Sequence, residues 1–177
     1  MIATQNVEVE EVKSQNLTLD SVRTVEQEIF STFKEVTYFD GTETPNVTIP
    51  SGFFISNNSI TGLVQASNTT ISKTITVKDV DCDKVNKIVI DGSLELSCAT
   101  GATNSTSLKF SNGTEQLVVA DSVAYPSTKT IVMNENTNYL DISNLSGIHD
   151  INIIVEVTGQ NSNGNTTVTI SKIRGVR

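Results

Sequence analysis

Apolar and polar residues follow two different periods along the chain. In the N-terminal stretch SVRTVEQEIFSTFKEV, apolar residues recur every three or four positions, which is the helical period. They are Val22, Val25, Ile29, Phe33 and Val36. The spacing predicts a helix of about four turns, which is marginal alone in water and must pack against another surface. Packing on its own domain, self-association around a symmetry axis and a strand all stay open. We take the stripe as the candidate oligomer interface.

From about Asp40 onward, residues that favour turns recur at the short, regular spacing that is typical of an all-β protein. In TISKTITV, Ile71, Ile75 and Val77 alternate with polar residues, and Lys73 interrupts the apolar face. Two hairpins are predicted where Asp-Gly or Asn-Gly separates apolar runs, at Asp91-Gly92 and Asn112-Gly113. Further strands are expected in TIVMNEN and NYLDISN. Because helical periodicity is not evident here, the sheets should be antiparallel.

The last hairpin is predicted from INIIVEVTG and TTVTISKI, joined by the polar connection QNSNGN. Its first strand should face the core with Ile151, Ile153, Val155 and Val157. In the second strand, Ile170 should face inward, and the next apolar residue is Ile173, three positions later instead of two. This extra residue indicates a bulge near Ser171-Lys172. The fold expected is an all-β, antiparallel, jelly-roll-like β-sandwich over 40–177. An N-terminal arm and short amphipathic helix over 1–39 precede it.

Composition limits the classes of partner. The formal charge is −8, so the chain lacks the cationic surface that nucleic acids and anionic membranes require. No apolar run approaches the roughly 20 residues that span a bilayer. The first residues, MIATQNVEVEEV, have neither the basic nor the apolar region of a signal peptide. Abundant Thr, Asn and Ser nevertheless suit a surface-displayed β-protein. Virion proteins, which are assembled in the cytoplasm and released on lysis, reconcile the two observations.

His149-Asp150 contains the only histidine of the chain. Nucleophilic catalysis needs a base near a nucleophile and a third group that orients the base. Adjacent residues of an extended chain point to opposite faces, so Asp150 is poorly placed to orient His149. No G-x-S-x-G motif accompanies the pair. We interpret it as the polar entrance to a strand and expect no catalytic residues and no enzyme.

Asp79, Asp81 and Asp83 have the D-x-D-x-D spacing of a calcium loop, where carboxylates converge on one cation. The EF-hand pattern then fails, because Lys84 and Ile90 occupy the glycine and glutamate positions. A solvated acidic loop is the simpler interpretation, and these three residues stay weak metal candidates. No other cofactor is expected.

Cys82 and Cys98 flank the predicted Asp91-Gly92 hairpin. The strand pairing of this hairpin would offset the two cysteines by roughly 10 Å along the strands. This distance is larger than a disulfide allows. Two reduced thiols are therefore expected, and a disulfide would need a bulge or a fold-back.

Sugar-binding sandwiches usually stack Trp or Tyr on sugar rings. This chain has no Trp and only Tyr38, Tyr125 and Tyr139. Paired acids of a glycosidase cannot be identified from the pattern. Phe53-Phe54 is expected in the core or at a subunit interface.

The closing segment NYLDISNLSGIHDINIIVEVTGQNSNGNTTVTISKI resembles the final strands of jelly-roll modules in carbohydrate-binding domains and phage structural proteins. An arm and short helix before a sandwich is similar to head-fibre, decoration and tail-fibre subunits of tailed phages. The resemblance implies that the arm anchors to a capsid or tail protein and that the helices trimerise. It carries no functional residue over.

The function expected is a non-enzymatic virion structural protein, oligomeric and assembled in the host cytoplasm, with the sandwich displayed outward. The alternatives are a carbohydrate-binding module or bacterial surface adhesin, with a host surface glycan as ligand and Tyr125 or Tyr139 as contacts, and third a polysaccharide depolymerase.

Overall fold

The computed structural model describes residues 35–42, 46–136 and 138–177, and these contain strands and turns but no helix. The ten strands are β1 (Glu35–Phe39), β2 (Val47–Thr48), β3 (Phe53–Ser56), β4 (Ser59–Asp81), β5 (Lys87–Cys98), β6 (Thr103–Ser111), β7 (Glu115–Ala124), β8 (Lys129–Met133), β9 (Tyr139–Asp141) and β10 (Ile148–Val176). Every pairing between them is antiparallel. The predicted all-β antiparallel class is confirmed. No helix long and apolar enough to cross a membrane occurs among these residues.

The two longest strands, β4 and β10, pair along almost their whole length and form one ribbon. Residues 152–160 of β10 also pair with β6, which pairs with β7. Residues 164–176 of β10 pair instead with β5, which carries β8 and β9. The ribbon therefore runs through two half-sheets. The first half-sheet contains β2, β4 residues 69–81, β10 residues 148–160, β6 and β7. The second contains β1, β3, β4 residues 59–67, β10 residues 163–176, β5, β8 and β9.

The inward faces of the two half-sheets share one hydrophobic core. Ile153 and Val155 from the first half-sheet and Val168 and Ile170 from the second are fully buried in it. Alternation along each strand places these apolar residues inside and polar neighbours outside. The arrangement is a jelly-roll-like sandwich, and the predicted inward set Ile151, Ile153, Val155 and Val157 is confirmed.

Two turn predictions have different outcomes. The Asn112-Gly113 turn is confirmed: β6 and β7 form a hairpin closed by the pair Ser111 and Glu115, and Gly113 has a φ of 111°. The Asp91-Gly92 turn is wrong, because both residues lie inside the continuous strand β5. A Cβ at Gly92 would lie 2.1 Å from the backbone oxygen of Thr169. Glycine is needed there for close strand approach and not for a turn.

The predicted bulge of β10 explains that close approach. Ile170 pairs with Gly92 and Lys172 pairs with Asp91, so Ser171 is the extra residue. The bulge near Ser171-Lys172 is therefore confirmed.

The polar stretch QNSNGN does not connect two strands, so the prediction of a last hairpin is wrong. Strand β10 continues through it, with a register shift between Gly159 and Asn163. Asn161 and, on the facing strand, Asn68 adopt positive φ values of 65° and 51°. These residues bend the ribbon from one half-sheet into the other. Strand β4 pairs with β10 both before and after this segment, so the two strands stay together past the bend.

The sandwich begins five residues before the predicted boundary at Asp40. Strand β1 pairs with the end of β10, and Glu35–Arg177 is one compact unit. Val36, predicted to end the helical stripe, therefore lies in a strand. Arg174 bonds Glu35 at 3.1 Å and Asp91 at 3.2 Å, which fastens β1 and β5 across β10. The rest of the stripe, Val22, Val25, Ile29 and Phe33, lies outside the described residues.

A buried polar cluster sits beside the bend. The Asn104 amide donates to the backbone oxygens of Ser97 (3.1 Å) and Asn165 (2.6 Å) and to the Thr166 hydroxyl (3.1 Å). Its carbonyl accepts from Thr106 at 3.0 Å, and the hydroxyls of Thr106 and Thr166 are 2.6 Å apart. Both side-chain atoms of Asn104 are thus paired, which offsets the cost of burying them. The cluster joins β5, β6 and β10 where the two half-sheets diverge.

We expect Asn104→Ala to lower the free energy of unfolding by roughly 2–4 kcal/mol, because it leaves buried polar partners unsatisfied and opens a cavity. Urea denaturation measures this. The control is Ser105→Ala on the outward face of the same strand, with an expected change of about 0.5 kcal/mol or less. Equal effects of the two substitutions would contradict a structural role for the buried cluster.

Candidate functional site

The outward face of the first half-sheet carries rows of small polar side chains across neighbouring strands. Directly paired residues of an antiparallel sheet share a face. One row, from β7 to β4, is Ser122, Ser105, Thr158 and Thr70, and the next is Ala120, Ser107, Glu156 and Ser72. The hydroxyls of Thr70 and Thr158 lie 2.8 Å apart. The alternation that sends the apolar residues inward places these hydroxyls outside.

These rows form the floor of an open groove with a volume of about 510 Å³. Its lining is Ser105, Thr106, Ser107, Ala120, Asp121, Ser122, Glu156 and Thr158. The floor is low because β6 and β7 carry only Ser and Ala at its centre. On the same face, the next cross-strand pair along these strands is formed by the larger side chains of Lys109 and Leu117. We call this feature the hydroxyl groove.

Glu156 at one side of the hydroxyl groove is held by two partners. Its Oε1 accepts from Lys109 Nζ at 3.1 Å, and its Oε2 accepts from the Ser72 hydroxyl at 3.4 Å. Lys109 also lies 3.4 Å from Glu115. The bond to Glu156, followed by the bond to Glu115, raises the pKa of Lys109. The ammonium therefore stays charged, and it neutralises part of the negative charge at the groove.

Asp121 also lines the groove, but it pairs with the buried Thr106, so its carboxyl lies on the opposite face of the sheet from Ser105 and Ser107. Its Oδ2 lies 2.6 Å from Lys129 Nζ, and its Oδ1 accepts from the backbone N–H of Ser122 at 2.8 Å. The Lys129 bond, followed by the Ser122 N–H, lowers the pKa of Asp121. A general acid of a glycosidase needs a raised pKa. Asp121 has the opposite property.

The pKa values of the other shifted carboxyls change in the same direction as that of Asp121. Where the pKa of a carboxyl in the described residues departs from its ordinary value, it is lowered, as for Glu35, Asp40, Asp81 and Asp141. The hydroxyl groove itself offers hydrogen-bond donors and acceptors and a paired charge, Glu156 with Lys109. These groups suit binding of a polar ligand.

The structure places His149-Asp150 at the start of β10 with local partners. His149 Nε2 lies 2.9 Å from the backbone oxygen of Ser146. Asp150 Oδ1 accepts from the backbone N–H of Asp79 at 3.2 Å. Asp79 has a φ of 55° beside a register irregularity of the ribbon. The aspartate thus stabilises a bend of the facing strand and does not orient the imidazole.

The three weak metal candidates have different neighbours. Asp81 lies 2.8 Å from Lys84, and this bond is the main cause of its lowered pKa. Asp83 Oδ1 accepts from the backbone N–H of Gly147 at 3.2 Å. Among the described residues, no group of three acidic, His or Cys side chains is arranged to hold a metal ion. Asp79, Asp81 and Asp83 are not brought together, and calcium gains no support from the geometry.

Both cysteines are free thiols. Cys82 is buried, and this burial is the main cause of its raised pKa. Cys98 Sγ lies 3.4 Å from the backbone oxygen of Ala102. The register that first separated the two residues depended on the incorrect Asp91-Gly92 turn, but the two reduced thiols agree with the prediction.

None of the aromatic residues that the structure describes lines the hydroxyl groove. Phe53 is buried against Gly62, whose added Cβ would lie 2.2 Å from the Phe53 ring. Phe54 is 56% exposed on the second half-sheet, so the core prediction holds for Phe53 alone. Tyr125 and Tyr139, the contacts named for a glycan, do not line the groove.

The groove residues were missed from the sequence. Ser105, Ser107, Ser122, Glu156 and Thr158 come from three strands and form no motif. The available signal was a run of small polar residues, TNSTS from Thr103 to Ser107. The apolar Leu108 and Phe110 that follow it mark the inward face, so Ser105 and Ser107 belong to the outward face.

No protein-family model matches the chain, and no curated protein matches it either. Among solved structures, CBM28, described as a non-crystalline cellulose specific carbohydrate-binding module, is 11% identical, covering 80% of this chain and 92% of that chain with a TM-score of 0.41. An agarase is 8% identical over 81% of this chain, with a TM-score of 0.40, and this chain spans 25% of its length. A structure of infectious bursal disease virus is 9% identical over 72% of this chain and 35% of that chain, with a TM-score of 0.34. None of these likenesses assigns the chain to a family.

We expect Lys129→Met to raise the pKa of Asp121 toward the ordinary value of about 3.9, because the substitution removes its main charged partner. Carboxyl-detected NMR titration measures the shift. In the native chain, the contribution of Asp121 to stability is present above that ordinary pKa. It is lost as the pH falls through the lowered pKa.

The matched control for this titration is Lys84→Met. It should raise the pKa of Asp81 and leave that of Asp121 unchanged. An Asp121 pKa that does not respond to Lys129→Met would contradict the ion pair.

Proposed function

We propose that the chain is a non-enzymatic structural subunit of a tailed-phage virion, with the β-sandwich displayed outward and the N-terminal segment attached to a capsid or tail protein. One observation carries the proposal: residues Glu35–Arg177 form one compact unit. A self-contained sandwich leaves the N-terminal segment for attachment. The net charge of −8 supports a soluble display role rather than a role on nucleic acid.

The polar outer face supports the same proposal. The first half-sheet presents Ser, Thr and Asn outward, and its charged groups are tied in pairs such as Lys109 with Glu156. Paired carboxylates with lowered pKa, such as Asp121, suit a durable surface better than a polysaccharide depolymerase, which needs a protonated acid.

A carbohydrate-binding module or surface adhesin is the second candidate function. The hydroxyl groove favours it, since the groove supplies hydrogen-bonding groups on an open face. The two candidates are compatible, because a virion subunit can carry a glycan site.

Mass spectrometry of purified phage particles tests the virion proposal. We expect peptides of this chain in particles at a copy number comparable with other structural subunits. Antibodies against residues 35–177 should label intact particles, whereas antibodies against residues 1–34 should label them only after disruption. Particles that lack the chain would contradict the proposal, and labelling by both antibodies alike would contradict the attachment of residues 1–34.

Light scattering tests the oligomer. We expect the full chain to have three chain masses and a deletion of residues 1–34 to have one, since the stripe Val22, Val25, Ile29 and Phe33 is the proposed interface. The deletion must stop at Lys34, because β1 begins at Glu35. Ile29→Asp should dissociate the trimer and Gln27→Asp, off the stripe, should not. A monomeric full chain would contradict self-association.

A further inference from the structure

The lining of the hydroxyl groove determines which ligands it can bind. Ser105, Ser107, Ser122 and Thr158 each present a hydroxyl, which both donates and accepts hydrogen bonds. The hydroxyls stand about 4.8 Å apart across the strands and roughly 7 Å apart along them. Such an array matches a ligand that itself carries many hydroxyls. The volume of about 510 Å³ is within the usual range for small-molecule sites, about 300–1,000 Å³.

The charges around the groove select against ionic ligands. Glu156 and Glu115 share Lys109, and Asp121 is paired with Lys129. On the groove face, two carboxylates thus share the one ammonium group of Lys109. An anionic sugar, phosphate or nucleic acid would meet a slight excess of negative charge, with no unpaired cation among the described residues that line the groove. A metal ion would find no cluster of three ligands among the described residues.

The carboxylates retain capacity for a neutral ligand. Each ionised carboxylate offers about four acceptor sites, and Glu156 uses one on Lys109 and one on Ser72. The remaining lone pairs can accept from ligand hydroxyls. Hydrogen bonds to a charged acceptor are stronger than neutral ones, so Glu156 is the main candidate for orienting the ligand.

We propose that the hydroxyl groove binds a neutral oligosaccharide, with Ser105, Ser107 and Ser122 at the floor and Glu156 accepting from ligand hydroxyls. This rests on the carbohydrate-binding candidate and adds the charge class of the ligand and its location. No aromatic side chain of the described part of the chain lines the groove. Without a stacking platform from these residues, the affinity of one site should be in about the millimolar range.

An array of neutral and uronate- or sialate-containing oligosaccharides tests the charge class with the full-length protein. We expect binding to neutral oligosaccharides and none to acidic ones. Binding confined to acidic oligosaccharides would overturn the neutral assignment while leaving carbohydrate binding intact. If no oligosaccharide binds, both the proposal and the carbohydrate-binding candidate fall.

Calorimetry with the best neutral oligosaccharide tests the location. Ser107→Leu and Ser122→Leu fill the floor and should weaken binding about tenfold or more. Ser93→Leu is the matched control, because Ser93 pairs with Val132 on the outward side of the second half-sheet. It should leave binding unchanged.

A third variant does not depend on filling the groove. Glu156→Gln keeps the size of the side chain and removes its charge, and it should also weaken binding. Urea denaturation confirms that each variant is folded. Folded Ser107→Leu and Ser122→Leu variants that bind like the native chain would place the sugar elsewhere and overturn the proposal, even if the array were positive.

Discussion

The pairing of β4 with β10 is the constraint on which the rest of the sandwich depends. Both half-sheets are built outward from this ribbon, so its bend decides how their inner faces meet. The bend requires close backbone approach: a Cβ at Gly159 would lie 2.1 Å from the backbone oxygen of Ala66. Glycine there removes the steric barrier, and positive φ at Asn68 and Asn161 turns the two strands together.

The bend also explains why the core contains polar groups. Ser97 of β5 and Asn165 of β10 are paired residues beside the bend, and their backbone oxygens lie within reach of a buried side chain. The amide of Asn104 reaches both, and the hydroxyls of Thr106 and Thr166 complete the cluster. An apolar residue would leave buried acceptors unsatisfied, which is more costly than burying a paired amide. The polar cluster is thus a consequence of folding one ribbon through two half-sheets.

Period-two alternation was enough to predict the class, the inward face from Ile151 to Val157 and the bulge at Ser171. The turns were harder, because glycine serves two purposes. Gly113 supplies positive φ, whereas Gly92 makes room for the Thr169 backbone, and the local sequence, Asn-Gly or Asp-Gly, looks the same. Which purpose applies depends on a partner strand about 80 positions away. The hydroxyl groove was hidden for the same reason, since Ser107, Ser122 and Glu156 meet only through pairing.

The proposed ligand site and the proposed oligomer are linked through the energetics of binding. Hydroxyl-to-hydroxyl contacts replace bonds to water and give little net free energy each, and none of the described aromatic residues lines the groove to add apolar burial. A single site of this kind is therefore weak and readily reversible. Several copies held on one particle convert later binding events into intramolecular ones and raise avidity without any new contact. If the sandwich is repeated on a particle and faces outward as proposed, many weak polar grooves together would give firm surface attachment, whereas the same groove on a monomer would hold its ligand only briefly.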